Sequence, residues 1–247
     1  MIRAVIFDLG HTLWDIGPDT NGLLDAAYRV FHRRIQETLD RTDLPPAEAV
    51  RKAVTAALAA DASTYFTEGR ELSQPPTHTW VAKGLGSLGL EVGDDTLRAL
   101  TPALFATEAE RLAVAEGTIE AVRELHDAGI ALGCITNTLA SVDAIANMLR
   151  RHDLLDVMGA VVVSSEEGWR KPHPRLFERA LSDLAVECGE SVFVGDSPYH
   201  DIAGAKACGM RAVQTTQYVA RPPVEGTPPP DGTIGHLREL WPLIQAW

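Results

Sequence analysis

The sequence predicts an α/β protein: a Rossmann-like doubly wound parallel sheet, interrupted once by a helical domain. Three observations carry that expectation. Short apolar, β-branched runs recur and each stops at polar residues; helical periodicity fills the intervals between them; and one long stretch holds helical patterns but no strand.

The first run, residues 2–7 (IRAVIF), ends at Asp8 as a strand buried on both faces would. The signature returns at 130–135 (IALGCI, ending at Thr136-Asn137) and at 159–163 (GAVVV, ending at Ser164-Ser165). It returns again at 191–194 (SVFV, ending at Gly195-Asp196) and at 211–214 (RAVQ, ending at Thr215-Thr216). Between these runs, segments 118–128, 139–150, 174–185 and 201–208 carry apolar residues at three- and four-residue spacing, the pattern of amphipathic helices. In such a fold ligands gather at the carboxyl ends of the strands, so the polar residues that stop the runs converge on one edge.

From about Trp14 to Arg111 the alternation ceases. Helical patterns occupy 21–39, 47–62, 78–88 and 94–111, punctuated by Pro45-Pro46 and Pro75-Pro76, where helices must start or stop. This divides the chain into a core, residues 1–14 and 112–247, and a helical cap, residues 15–111, placed over the active edge. After a Pro-rich surface connection, 222–230, the chain is expected to return to helix from Ile234 to Gln245.

The 247 residues are 45% hydrophobic, enough for a sizeable core, and the formal charge is −12. The cations do not cluster: 10 of 22 basic and 15 of 34 acidic residues fall between Asp15 and Arg111. Neither part is suited to nucleic acid or an anionic membrane surface. Three cysteines with no CxxC, no secretory h-region and no long apolar span predict a reduced, cytoplasmic protein. Eight histidines form no HxH or HxxxH pair, so no zinc site is expected. Gly84, Gly86 and Gly89 spell GxGxxG, but no strand precedes them, and they read as a break between cap helices.

The strand ends bring together Asp8 with Thr12, Thr136 with Asn137, Lys171 in a loop, and Asp196 with Asp201. Carboxylates held close repel one another unless a hard cation such as Mg²⁺ sits between them. Hydroxyl, amide and ammonium groups facing that cation form a cradle for a phosphoryl group, with Asp8 as the candidate nucleophile and Lys171 as a point donor to phosphate.

FDLGHTL at 7–13, CITNT at 134–138, RKPHP at 170–174 and GDSPYHD at 195–201 resemble, in order, the four motifs of the haloacid dehalogenase-like hydrolases. The resemblance spans the whole chain, and the helical insert is similar to that family's C1 cap. It implies that Asp8 is the nucleophile, that Thr136 and the backbone at Asn137 bind phosphate alongside Thr12, and that Lys171 stabilises the transferring group. It also implies Mg²⁺ bound by Asp8, Asp196 and the Gly10 carbonyl, with Asp201 orienting Lys171 or a metal-bound water. The expected reaction is hydrolysis of a small phosphorylated metabolite through an aspartyl-phosphate.

Position 10 departs from the family pattern. Its phosphatases usually read DxDGT, where the second Asp handles the proton; here Gly10 and His11 stand instead. Loss of general acid–base catalysis costs about 10²–10⁴ in rate, or about 3–5 kcal/mol of barrier. Several readings remain open: a slow phosphatase for good leaving groups, His11 as a replacement acid–base, a nearly inactive phosphate-ligand-binding protein, or a dehalogenase or phosphonate hydrolase. Dehalogenases usually lack the GDxxxxD pair seen at 195–201. Phosphonate hydrolases need a cap lysine, and Lys52 sits in an ordinary helix pattern. β-Phosphoglucomutase-type chemistry needs an acid–base at position 10. Specificity candidates in or near the cap are Trp14, Tyr65, Phe66, Arg70, His78 and Trp80.

Overall fold

The computed structural model describes residues 1–15, 17, 20–65, 72–108 and 110–247, with helical residues 20, 21 and 61–65 described by their backbone alone. The chain opens with strand β1 (Ala4–Phe7) and then enters the helical insert: α1 (Thr20–Leu39), α2 (Ala47–Tyr65), α3 (Thr77–Gly86) and α4 (Asp94–Leu100). The core resumes with α5 (Thr118–Asp127), β2 (Ala131–Thr136), α6 (Val142–Arg151), β3 (Met158–Val163), α7 (Ser164–Glu167) and α8 (Pro174–Leu184). It ends with β4 (Ser191–Gly195), α9 (Gly204–Ala207), β5 (Arg211–Thr215), β6 (Gly232–Ile234) and α10 (Leu240–Gln245).

The strands form one parallel sheet in the order β3-β2-β1-β4-β5-β6. The chain runs outward from β1 through β2 and β3, then crosses to β4 on the other side, which makes the carboxyl end of β1 the topological switch point. Alternate side chains explain why both faces must be covered. Val5 and Phe7 join the layer with α5, α6 and α10, whereas Ile6 joins Phe193 and the layer with α8 and α9.

Three sequence expectations need correction. The segment 94–111 is not one helix: α4 stops at Leu100 and a 3₁₀ turn covers Thr101–Phe105, because Pro102 has no N–H to continue the ladder. Ile234 belongs to strand β6, paired with Thr215, and helix begins only beyond it; this gives a sixth strand. The 201–208 helix starts earlier, as a π-helix over Pro198–Ala203 that leads into α9.

The insert has its own apolar cluster, including Phe31, Ile35, Val50, Val81, Leu85 and Leu97. Of the GxGxxG stretch, expected to break two cap helices, Gly84 and Gly86 lie in the last turn of α3 and only Gly89 lies in the turn beyond it. A Cβ on Gly84 would lie 2.6 Å from Val54 Cα, so α2 and α3 approach as closely as glycine allows, and Gly89 turns the chain at φ +72°. Gly84→Ala is therefore expected to destabilise the protein by about 1–3 kcal/mol through overpacking. Urea unfolding measures this, and an unchanged midpoint would contradict the close contact.

The insert leaves and rejoins the core at a backbone pair between Asp15 and Ala113, with N–H to carbonyl distances of 2.9 and 2.7 Å. It is also seated through Gln74, buried, which donates to the Thr138 carbonyl at 2.7 Å and accepts from the Ser164 hydroxyl at 3.0 Å.

Candidate active site

Each sheet strand next to the switch point delivers a polar residue at its carboxyl end. Asp8 follows β1, Thr136 closes β2, and Asp196 follows β4. Together with Lys171, Asp201 and Gly10 they line a cavity of about 280 Å³.

Lys171 is the electrostatic centre. It is buried, with Nζ 2.6 Å from Asp8 Oδ1 and 2.7 Å from Asp201 Oδ1, and 5.1 Å from the centre of the Phe193 ring. Burial alone would lower its pKa; Asp201 and Asp8 overcome that and hold the ammonium above its usual range. Asn137 fixes the lysine's backbone from both sides: its side-chain oxygen accepts from Lys171 N–H at 2.8 Å, and its Nδ2 donates to the Lys171 carbonyl at 3.0 Å.

Asp201 is locked as well. Its second oxygen accepts the Ser197 N–H at 2.9 Å, and it sits against Gly195, where a Cβ would come within 2.4 Å of Asp201 Oδ2. The glycine before Asp196 is thus required by Asp201's place rather than by a turn.

Burial pushes the Asp8 carboxyl up to about 7; Lys171 opposes this, and Asp201 and Asp196 reinforce it. Three carboxylates share the pocket with the Lys171 ammonium and the Arg221 guanidinium, which leaves one negative charge in excess when all three are ionised. Oxygens of Asp8, Asp196 and Asp201 all lie within 4.8 Å of one another, a hard-oxygen set that fits Mg²⁺. Both oxygens of Asp8 and of Asp201 already accept hydrogen bonds, and Arg221 donates to one oxygen of Asp196, so a cation held here beside the cavity-lining Gly10 would share or displace these partners.

Thr12, expected among the phosphate groups, is fully buried; its hydroxyl donates to Asp8 Oδ2 at 3.1 Å, so it orients the carboxylate from below. His11 lines the cavity with φ +58°, a left-handed conformation uncommon outside glycine, and its Nδ1 is 3.1 Å from Asp15 Oδ1.

Cap candidates fall elsewhere. Trp14 and Trp80 are buried, and His78 is buried with its Nε2 3.2 Å from Asp94. Lys52 is 68% exposed and pairs with Glu48 at 2.7 Å. Phe66 and Arg70 lie outside the described residues, as does the Tyr65 side chain. Cys134 is buried in β2, and burial raises its thiol to about 12, leaving it unreactive near neutral pH.

Three cavity residues escaped the sequence reading: Ser197, His200 and Arg221. The first two lie inside the GDSPYHD segment and were within reach. Arg221 carried no local signal, since it precedes the stretch read as a plain connection.

Residues 2–209 match the family model described as haloacid dehalogenase-like hydrolase. The chain belongs to the haloacid dehalogenase-like hydrolases. This hydrolase is 30% identical to a glyceraldehyde 3-phosphate phosphatase of Pyrococcus abyssi, over 86% of its own length and 81% of that protein's. It is 31% identical to a phosphoglycolate phosphatase of Rhodospirillum rubrum, over 91% and 83% of the two chains. Among solved structures, a 2-haloacid dehalogenase of Pseudomonas syringae pv. Tomato superimposes over 100% of both chains with TM-score 0.67 at 24% identity, a likeness of fold. Among the described residues of the hydrolase, no helix is long and apolar enough to cross a membrane.

Proposed function

We propose that this hydrolase is a Mg²⁺-dependent phosphatase of a small phosphorylated metabolite, acting through an aspartyl-phosphate on Asp8. The observation that carries the reading is Lys171 held between Asp8 and Asp201, with Asp196 close enough to share a cation with Asp8. The phosphatase names of its relatives support the substrate class. The Asp196 and Asp201 carboxylates disfavour a metal-free dehalogenase, and exposed Lys52 disfavours a Schiff base.

In the first half-reaction an Asp8 oxygen attacks phosphorus; the new P–O bond forms as the ester P–O bond breaks. Thr12 orients that carboxylate, and Lys171 with Thr136 receives the phosphoryl oxygens. Bound Mg²⁺, held by Asp8, Asp196 and the Gly10 carbonyl, would neutralise charge on the transferring group. His11, set against Asp15, gives a proton to the leaving oxygen. In the second half-reaction neutral His11 takes a proton from water as the water oxygen attacks phosphorus, which frees phosphate and restores the Asp8 carboxylate. The left-handed His11 backbone supports this role, because such strain persists where the surrounding structure demands it. The core–cap boundaries at residues 15 and 111 are supported by the Asp15–Ala113 pairing and by the insert's separate apolar cluster.

The test is phosphate release from a panel of phosphorylated metabolites, with Mg²⁺ and with EDTA. Turnover is expected with Mg²⁺ only; its absence across the panel would sink the reading.

A further inference from the structure

Arg221 lines the cavity, and the proposed chemistry leaves it unused. Its Nε donates to Asp196 Oδ2, so a guanidinium sits on a carboxylate that the proposed reaction assigns to the metal. The two partners differ in burial: the Asp196 side chain is 6% exposed and that of Arg221 43%. An arginine this open to solvent can leave its partner without a desolvation cost of its own, whereas Asp196 cannot be left buried without a counter-charge.

The backbone beneath Arg221 is fixed. Buried Gln214, in β5, donates through Nε2 to the Arg221 carbonyl at 3.0 Å and to the Asp196 carbonyl at 3.2 Å. Tyr218 pins the same loop at the cap–core junction, donating to the Leu13 carbonyl at 3.0 Å and accepting from the Ala115 N–H at 2.7 Å. Residues 216–231 form no helix or strand in which the side chain would be packed by regular neighbours. The loop therefore holds the root of Arg221 at the cavity and leaves its guanidinium to choose a partner.

Charge supplies the reason to exchange. Among the described residues, three carboxylates face two cations, Lys171 and Arg221. A divalent cation on Asp8 and Asp196 satisfies those carboxylates together with Lys171, and the guanidinium becomes surplus positive charge at the mouth of a pocket meant for an anion.

We propose that Arg221 is an exchangeable counter-ion: it covers Asp196 in the metal-free enzyme, gives way to the divalent cation, and then pairs with an oxyanion of the substrate. This rests on the Mg²⁺-dependent reading above. The oxyanion is either a phosphoryl oxygen or a second anionic group of the substrate, since a planar guanidinium fork suits both.

Arg221→Gln separates the two readings. Calorimetric titration with MgCl₂ alone is expected to show at least fivefold tighter binding in the variant, because the cation no longer displaces an arginine. The variant is also expected to raise KM at least fivefold for a substrate carrying the matching oxyanion. Equal losses on p-nitrophenyl phosphate and 2-phosphoglycolate assign the contact to the phosphoryl group, and a loss confined to 2-phosphoglycolate assigns it to the second anion. Equal Mg²⁺ affinity in wild type and variant, or KM values unchanged on both substrates, would overturn the proposal for Arg221 alone. Failure of the wild-type protein to bind Mg²⁺ at all would overturn the metal-dependent reading and this inference with it.

Discussion

Asp8→Asn is expected to lower Mg²⁺-dependent phosphate release by at least about 10⁴, the order seen when a covalent nucleophile is removed. The change is nearly isosteric. Thr12 can still donate to the remaining side-chain oxygen, and Lys171 keeps Asp201 as a partner, so the variant should fold. What disappears is the oxygen lone pair that forms the bond to phosphorus. Residual turnover within tenfold of wild type would reject Asp8 as nucleophile.

The same variant has a stability signature of defined sign. The Asp8 carboxyl is raised from 3.8 to about 7, chiefly by burial. Between those values the folded state holds a proton that the unfolded state has lost. Asp8's contribution to stability therefore falls as pH rises through this window and is fully lost above about 7. Asparagine does not titrate. In EDTA, Asp8→Asn is expected to melt above wild type at pH 8, with the gap narrowing towards pH 4. Adding Mg²⁺ at pH 8 should raise the wild-type Tm more than the variant's, because a cation supplies what the buried carboxylate lacks. Melting curves at the two pH values with and without Mg²⁺ check each arm.

His11→Gly followed by Gly10→Asp is the second large effect. If His11 handles the proton, its removal should cost at least tenfold in kcat, and up to about 10²–10⁴. Relief of the left-handed backbone should at the same time leave stability unchanged or improved, since glycine adopts φ near +58° without a Cβ clash. A loss of activity without a loss of stability marks a chemical role, whereas a packing role would reduce both. Gly10 faces open space, with nothing within 4 Å of an added Cβ, so an aspartate fits there. Gly10→Asp in the His11→Gly background is expected to restore at least tenfold of the lost rate by returning a carboxyl acid–base to the first motif. A pH–rate profile identical in wild type and His11→Gly would reject His11 as the proton carrier.

Much of the core was legible because its signals are local. A run such as AVIF in β1 is apolar at every position, and a strand covered on both faces needs that; Asp8 stops it because a carboxylate belongs at the open edge. The motifs at 134–138, 170–174 and 195–201 were readable for the same reason. Strand β6 was missed because three residues, Gly232–Ile234, carry too little pattern to announce an edge strand, and their pairing with β5 is a long-range event. The 94–111 segment was read as one helix because its apolar spacing continues past Pro102, while the ladder does not.

Residue types at the strand ends, and hence the class of chemistry, were determined by the sequence, since buried strands and their polar stops are properties of a few adjacent residues. Only the tertiary structure decided how those groups divide their work. Asn137 clamps Lys171 across 34 positions, Thr12 supports Asp8 from beneath, and Arg221 reaches Asp196 through a loop anchored by Gln214 and Tyr218. Such pairings depend on where the sheet's crossovers and loops bring distant backbone, and no local periodicity encodes that.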